Sequence, residues 1–239
     1  MIRIRQIKIP YNERTIENIK KKVSKITKNM SGNMDLYAKW TPNKYKVTFV
    51  ANAPEGRKVT GRMSPQTLTY KVQKKLTRNG YKISGYKFKG WTTVQYKEGD
   101  DIPEGTLLTD MATVGNIGNG YYETKTLYAN WEKIDYTISC NLNGVAANVA
   151  GLAADGSIEY KAEGKDYSYS PVVKTGDKYN ELKTYTIDET VIINNIVEPY
   201  RPGYTFVGWY TDAKCRRKAT DIAVGKATNL TLYAKWIVK

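Results

Sequence analysis

Alternating hydrophobic and polar residues predict short β-strands along most of the chain. Between 45 and 52, Tyr45, Val47 and Phe49 share one face while polar side chains occupy the other. The segment from 136 to 143 repeats this arrangement with Tyr136, Ile138, Cys140 and Leu142. A period of two is typical of a half-buried strand with one solvated side. Further period-two segments between these and the next motifs bring each unit to at least four predicted strands.

The chain contains internal repeats. A closing segment occurs three times, at 35–40, 126–131 and 231–236, and a central segment Gly-Tyr-x-Phe-x-Gly-Trp occurs at 85–91 and 203–209. All five Trp residues lie inside these motifs. Since the opening strand, central motif and closing strand follow in the same order twice, we predict two full units and one incomplete unit.

The central motif departs from strict alternation. Its Tyr and Phe share a face, whereas its Trp is out of phase by one residue, so we predict that Gly90 and Gly208 form β-bulges that return the indole to the core. We interpret the motif aromatics as core rather than as a carbohydrate-stacking platform, because small units need large side chains to build a core. The predicted core residues are Trp40, Tyr86, Phe88, Trp91, Trp131, Tyr204, Phe206, Trp209 and Trp236. Tyr37, Tyr128 and Tyr233 face outward and are candidates for contacts with neighbouring units or a partner.

These motifs divide the chain into three parts. Residues 1–43 form an incomplete N-terminal repeat that ends in a closing segment, residues 44–133 the first full repeat, and residues 134–239 the second. Apolar residues at helical spacing predict a helix over 15–28. The segment 181–196 fits either a short helix or another strand. Linkers of four residues predict an extended array, because they leave successive units little freedom to swing.

Composition excludes several kinds of chemistry. The chain has no His and two Cys, so Ser-His-Asp triads, His-ligated zinc and thiolate cages cannot be built. The acidic loop with Glu98, Asp100, Asp101 and Glu104 lacks EF-hand spacing and is interpreted as solvated. No apolar run is long enough to span a membrane, and the first ten residues lack the features of a signal peptide. A fragment of a longer secreted chain would look the same.

The charge is concentrated in one half. The net charge is +15, from 38 Lys and Arg against 23 Asp and Glu, and the last part (134–239) contributes only +1, with 13 basic and 12 acidic residues. A basic surface of this kind can capture a polyanion such as a sulfated glycan, although a solvated face is the simpler interpretation. No nucleic-acid motif is present, so nucleic acid is not expected as a partner. The candidate polyanion-binding residues are Lys20, Lys21, Lys22, Lys25, Lys28, Arg57, Lys58, Arg62, Lys71, Lys74, Lys75 and Arg78.

The ordered motifs resemble the internalin B-type repeat, also called the Listeria–Bacteroides repeat. The second unit matches the family pattern at 203–212 and 231–236, while the first lacks the Tyr-Thr-Asp that should follow Trp91. The resemblance implies a mainly β (α+β) fold of tandem β-grasp or ubiquitin-like domains. It also implies an extracellular setting on the bacterial cell surface, with no catalytic residues, cofactor or metal.

Two functions follow from the motifs and the charge. The first is a non-enzymatic spacer or adhesion module that presents or contributes to binding of a host or matrix protein, within a monomeric fragment of a longer multidomain chain. The alternative is a binding module for acidic glycans or other polyanions through residues 1–133. Cys140 and Cys215 are interpreted as two independent buried thiols, and a disulfide between them, which the extracellular setting would permit, remains open.

Overall fold

The computed structural model describes residues 2–8, 22, 24–25, 32–37, 42–117 and 123–239. In chain order its strands are β1 (Ile2–Lys8), β2 (Gly32–Tyr37), β3 (Lys44–Val50), β4 (Val59–Thr60), β5 (Gln66–Thr69), β6 (Lys74–Lys75), β7 (Lys82–Ile83), β8 (Tyr86–Thr92), β9 (Thr113–Val114) and β10 (Thr124–Lys133). They continue with β11 (Tyr136–Asn141), β12 (Ala147–Leu152), β13 (Ile158–Glu163), β14 (Ser168–Tyr169), β15 (Val172–Thr175), β16 (Lys178–Glu181), β17 (Thr184–Tyr185), β18 (Tyr204–Tyr210) and β19 (Leu230–Val238). A 3-10 turn spans Ile193–Asn195.

The predicted mainly β fold is confirmed, since the described residues contain no α-helix. The helix predicted over 15–28 lies outside the described residues except at 22, 24 and 25, and stays a prediction. The undecided segment 181–196 contains the end of β16, the short strand β17 and the 3-10 turn. The β-grasp assignment in particular is not confirmed.

The chain divides into two compact units. The first comprises residues 1–49, 64–78 and 111–127, and the second comprises 50–63, 79–110 and 128–239. Strand β10 passes from the first unit to the second after Leu127. The division therefore falls inside the first repeat, and the repeat boundaries at 43/44 and 133/134 stay predictions.

The first unit is built on antiparallel pairing of β3 with β5, in which Tyr45 lies opposite Leu68. β3 also neighbours the start of β10, where the Thr48 hydroxyl donates to the carbonyl of Lys125. Short strands β6 and β9 form a second ladder. The buried apolar side chains of this unit include Tyr45, Val47, Phe49, Leu68, Leu76, Val114 and Leu127.

A further strand lies at the N-terminus. β1 pairs in parallel with β2, which contains residues 35–37, the first half of the closing segment of the incomplete repeat. Sequence reasoning treated residues 1–10 only as a possible targeting segment, although their alternation of Ile with Arg and Lys was a visible strand signal.

In the second unit, the second repeat forms a five-stranded sheet. The order is β14–β11–β19–β18, and β17 pairs with the start of β11. The opening strand β11 runs parallel to the closing strand β19, so a long connection must carry the chain between them. That connection contains the hairpins β12–β13 and β15–β16. The core under the sheet is apolar and includes Ile138, Cys140, Tyr185, Ile196, Trp209 and Leu232.

Both predicted bulges are present in this unit. Between β8 and β10, Gly90 pairs with Asn130 but Phe88 pairs with Trp131, so Lys89 is inserted. Between β18 and β19, Gly208 pairs with Lys235 but Phe206 pairs with Trp236, so Val207 is inserted. The extra residue returns Trp91 and Trp209 to the interior, where they are 0% and 3% exposed.

The two bulge glycines predict different costs of substitution. Both have positive φ, +154° at Gly90 and +134° at Gly208, so alanine strains the backbone at either position by about 1–3 kcal/mol. At Gly90 a Cβ would also lie 2.6 Å from the carbonyl oxygen of Leu108, whereas at Gly208 it would meet the flexible Lys218 side chain at 3.3 Å. We expect Gly90→Ala to lower the free energy of unfolding in urea more than Gly208→Ala. Equal losses would contradict the role of the Leu108 carbonyl.

Candidate functional site

The motif aromatics form the same cluster in both repeats. The Phe of the central motif makes edge-to-face contacts with the motif Trp and with the closing-strand Trp. The ring-centroid distances are 4.9 and 5.6 Å from Phe88 to Trp91 and Trp131, and 5.0 and 5.4 Å from Phe206 to Trp209 and Trp236. Edge-to-face geometry is the favourable arrangement for aromatic pairs. The rings of each repeat therefore pack against one another. Trp40 lies outside the described residues.

The closing-strand Trp also fixes the opening strand. The indole N–H of Trp131 donates to the carbonyl of Ala51 at 2.7 Å, and that of Trp236 donates to the carbonyl of Leu142 at 3.1 Å. Such a bond offsets the cost of removing the polar indole N–H from water. The two bonds join equivalent positions in the two repeats. In each repeat, the bond ties the closing strand to the end of the opening strand.

An asparagine after each opening strand makes a second repeated contact. Asn52 and Asn143 adopt left-handed conformations, with φ of 43° and 56°, which asparagine tolerates better than most residues. Each side-chain amide donates to the closing strand and to the loop after the motif Trp. The accepting carbonyls are those of Ala129 and Tyr96 for Asn52, and of Ala234 and Ala213 for Asn143.

Asp212, three residues after the motif Trp of the second repeat, has a structural role in the turn that follows it. Its carboxylate accepts hydrogen bonds from the backbone N–H groups of Arg216 and Arg217 and from the Arg216 guanidinium. Desolvation opposes ionisation, but these donors hold the pKa of Asp212 below its ordinary value. The residue thus closes the turn that follows the motif Trp in the second repeat.

The basic residues predicted from sequence are divided between the two units. Lys20, Lys21 and Lys28 lie outside the described residues. In the first unit, the exposed members are Lys22, Lys25, Lys71, Lys74, Lys75 and Arg78. Lys71 lies 5.6 Å from the centre of the Tyr70 ring, and the Lys74 ammonium donates to the carbonyl of Thr67.

In the second unit, Lys58 and Arg62 are exposed, whereas Arg57 has specific partners. Its guanidinium forms an ion pair with Asp188 and lies 5.8 Å from the centre of the Tyr86 ring. We therefore assign Arg57 a structural contact within this unit, and it has less freedom than the exposed lysines to hold a ligand.

Sequence reasoning missed two further cations of the first unit. Lys44 and Lys46 are exposed on β3, opposite Thr69 and Thr67 of β5. The Lys74 ammonium, from the β6–β9 ladder, donates to the carbonyl of Thr67, the residue that lies opposite Lys46. The alternation of β3 was the available signal, because inward Tyr45 and Val47 require outward Lys44 and Lys46.

The described residues contain no group of three or more His, Cys, Asp or Glu placed to hold a metal ion. The acidic residues of the loop bind groups of the protein itself. Asp100 accepts a hydrogen bond from the backbone N–H of Lys97, and Glu98 forms an ion pair with Lys133. Among the same residues, no helix has the length and apolar character needed to cross a bilayer.

Comparison with known families matches both repeats. The Listeria-Bacteroides repeat domain matches residues 45–113 and 157–235. This chain belongs to the Listeria–Bacteroides repeat domain family. The family is a non-catalytic module typical of bacterial surface proteins. The predicted resemblance is thus confirmed in two tandem copies.

Three relatives show similar segments. Two are candidate membrane proteins of Evansella cellulosilytica, one of them Gly-rich, each 26% identical over 84% and 86% of this chain but only 18% and 23% of their own length. The third is Internalin H of Listeria monocytogenes, 36% identical over 29% of this chain and 13% of its own. The chain therefore spans about a fifth of the length of the first relatives. No solved structure matches it.

The two cysteines of the second Listeria–Bacteroides repeat are free thiols in different environments. Cys140 is fully buried, and this burial raises the pKa of its thiol well above the ordinary value. Cys215 is only half-buried, in contrast to the prediction of two buried thiols, because it lies in a surface turn with φ of 51°. The Asn143 amide donates to its sulfur at 3.2 Å.

Thiol labelling separates the two environments. We expect iodoacetamide to modify Cys215 faster than Cys140 by a factor on the order of a hundred or more, because Cys140 reacts only after local unfolding. Partial burial raises the pKa of Cys215, so its rate should still increase above pH 8.5. Peptide mass spectrometry reads both sites, and Cys215→Ser removes the fast phase. Absence of the fast phase in the untreated wild type, with Cys215 labelled only after reduction, would contradict the free thiols.

Proposed function

We propose that this chain is a non-enzymatic spacer and adhesion module of a bacterial cell-surface protein, in which the repeats hold a binding region at a set position for a host or matrix partner. Family membership supports the surface setting, and the names of the Evansella relatives are compatible with it. The spacer function rests on one observation. Residues of the first repeat pack against residues of the second at a junction that lies entirely within the second compact unit.

The junction leaves almost no linker. β10 ends at Lys133 and β11 begins at Tyr136, so two residues connect the closing strand of one repeat to the opening strand of the next. The connection is also fixed by a hydrogen bond, since the N–H of Ile134 donates to the carbonyl of Gly85 at 2.9 Å. A connection this short and bonded limits bending at the junction.

An apolar contact lies beside that connection. Ile187 of the second repeat is 3% exposed and forms a cluster with Ile83 and Tyr86 of the first. It packs so closely on Gly85 that a Cβ there would lie 2.5 Å from the Ile187 Cδ1 atom. Burying one such side chain is worth about 1.5–3 kcal/mol, which favours a rigid arrangement of these residues.

Ion pairs surround the contact. Asp188 pairs with Arg57 and, at 2.8 Å, with the Lys133 ammonium, which also lies 2.7 Å from Glu98. The hydrogen bond to Glu98 raises the pKa of Lys133. These groups are partly exposed, so each pair is worth roughly 0–1 kcal/mol. They align the two repeats, while the apolar contact supplies most of the stability.

A double-mutant cycle tests the junction. Gly85→Ala should destabilise the wild type through its clash with Ile187 and its positive φ of 78°. In an Ile187→Ala background the clash disappears, so the same substitution should cost less, with a coupling of about 0.5–3 kcal/mol in urea unfolding. Trypsin cleavage after Lys133 should also be faster in Ile187→Ala than in the wild type.

The matched control is Ile237→Ala, because Ile237 is 53% exposed in the same repeat. It should leave both stability and cleavage at Lys133 unchanged. Additive effects of Gly85→Ala and Ile187→Ala, or rapid cleavage at Lys133 in the wild type, would refute a rigid junction and with it the spacer function.

A second function, polyanion binding, is favoured by the charge of the first unit. Its residues 42–49, 64–78, 111–117 and 123–127 include a single acid, Glu123, which pairs with Lys125. The exposed cations are Lys44, Lys46, Lys71, Lys74, Lys75 and Arg78, and none forms an ion pair with another described residue. We propose that this set of exposed cations, named here the basic surface, binds an acidic glycan, since cations without acidic partners capture a polyanion by releasing its counterions.

Heparin affinity tests this second function. We expect the triple variant Lys74→Gln, Lys75→Gln, Arg78→Gln to bind heparin at least about tenfold more weakly and with a smaller salt dependence. The charge-matched control is Lys165→Gln, Lys214→Gln, Lys226→Gln, which removes three exposed lysines from the second repeat. An equal loss in the control would show general charge attraction rather than a site on the first unit.

A further inference from the structure

The second repeat has a cleft that the repeat motifs do not use. The interval between the opening strand and the central motif contains the hairpins β12–β13 and β15–β16 in this repeat, while in the first repeat it contains the short strands β4 to β7. A cleft of about 510 Å³ lies where β13, the β15–β16 hairpin and the 3-10 turn meet. This volume is in the range of small-ligand sites. All of its lining residues belong to the second unit.

Two tyrosines outside the repeat motifs line the cleft. Tyr160 of β13 is 49% exposed, and its hydroxyl donates to the carbonyl of Glu198 at 3.3 Å, which restrains the ring. Tyr179 of β16 is half-buried and has the Lys174 ammonium 5.7 Å from its ring centre. Unlike the motif aromatics, neither ring belongs to the core clusters.

The remaining polar groups of the cleft are uncharged and available. Asn194 and Asn195 are exposed at the 3-10 turn, and their side-chain amides have no hydrogen-bond partner among the described residues. Buried Ile196 contributes to the lining below them. The backbone under this wall is fixed, because Val173 of β15 bridges Ile196 and the N–H of Val197 donates to the carbonyl of Val172.

We propose that this cleft binds a neutral oligosaccharide. Sugar rings present C–H faces that stack on tyrosine and hydroxyl groups that pair with amides, and the cleft offers both kinds of group together. Lys174 is its one charged lining residue and already faces the Tyr179 ring, so the cleft lacks the several cations that hold a polyanion. The adjacent strand β13 alternates Glu159, Lys161 and Glu163, and such charges oppose addition of a peptide strand to its edge.

This site is independent of the spacer function and of the basic surface. Both of those could fail with the cleft still binding sugar, because the cleft uses no residue of the junction or of the first unit. It gives the second repeat a binding role of its own, through the hairpins that lengthen this interval.

Titration of the full chain with cellohexaose and chitohexaose tests the proposal, using calorimetry and amide chemical shifts. We expect at least one of these neutral probes to bind with a Kd on the order of 0.1 mM. The affinity should be unchanged between about 50 and 300 mM salt, because no charge is neutralised. Shifts should concentrate at residues 158–160, 174–179 and 194–197. Failure of both probes to bind, or salt-dependent binding of heparin alone, would overturn the proposal.

Four variants identify the binding surface. Tyr160→Ala and Tyr179→Ala should each weaken binding at least about tenfold, and Tyr160→Phe should retain affinity within about threefold because the stacking face remains. The control is Tyr200→Ala, since Tyr200 is 57% exposed and lies outside the cleft. Unchanged binding in both alanine variants, an equal loss in the control, or a loss in Tyr160→Phe as large as in Tyr160→Ala would each overturn it.

Discussion

Each repeat depends on one inserted residue in its central strand. Strict alternation would direct Trp91 to the same side as Lys87 and Lys89, away from Phe88. The bulge at Gly90 reverses this, so Trp91 becomes fully buried against Phe88. The same step at Gly208 buries Trp209.

The consequences reach the opening and closing strands. Once Phe and Trp share a face, the closing-strand Trp packs on the same Phe, and its indole N–H bonds the end of the opening strand. The asparagine that follows, Asn52 or Asn143, then joins the closing strand to the loop after the motif Trp. Three segments far apart in sequence are thus tied by one aromatic cluster and one amide, which is how a small repeat secures its core.

The proposed functions use residues outside the aromatic cluster. The junction needs Gly85 and Ile187, the basic surface needs the outward side of β3, and the cleft needs the hairpins of the second repeat. None of these sets supplies the aromatic cluster. Variation at such positions can therefore change the junction, the charge or the cleft of a repeat while the aromatic cluster stays intact.

The sequence by itself determined the repeats, the strand pattern of their motifs and the bulges. It could do so because alternation, glycine and aromatic residues act through local geometry, and because Gly90 and Gly208 stand at the same offset before Trp. Composition excluded His-based chemistry without any structure.

Only the tertiary structure decided which of these residues meet. The sequence grouped Arg57 with the other cations, but Asp188, 131 positions later, makes it part of the junction. Periodicity likewise did not decide whether 181–196 forms a helix or a strand. The strands and the 3-10 turn in this segment are too short to show a regular hydrophobic period. Tyr160 and Tyr179 became a pair only when separate hairpins placed them on one cleft. Contacts between residues distant in sequence depend on the path of the whole chain in three dimensions, and no local sequence pattern determines that path.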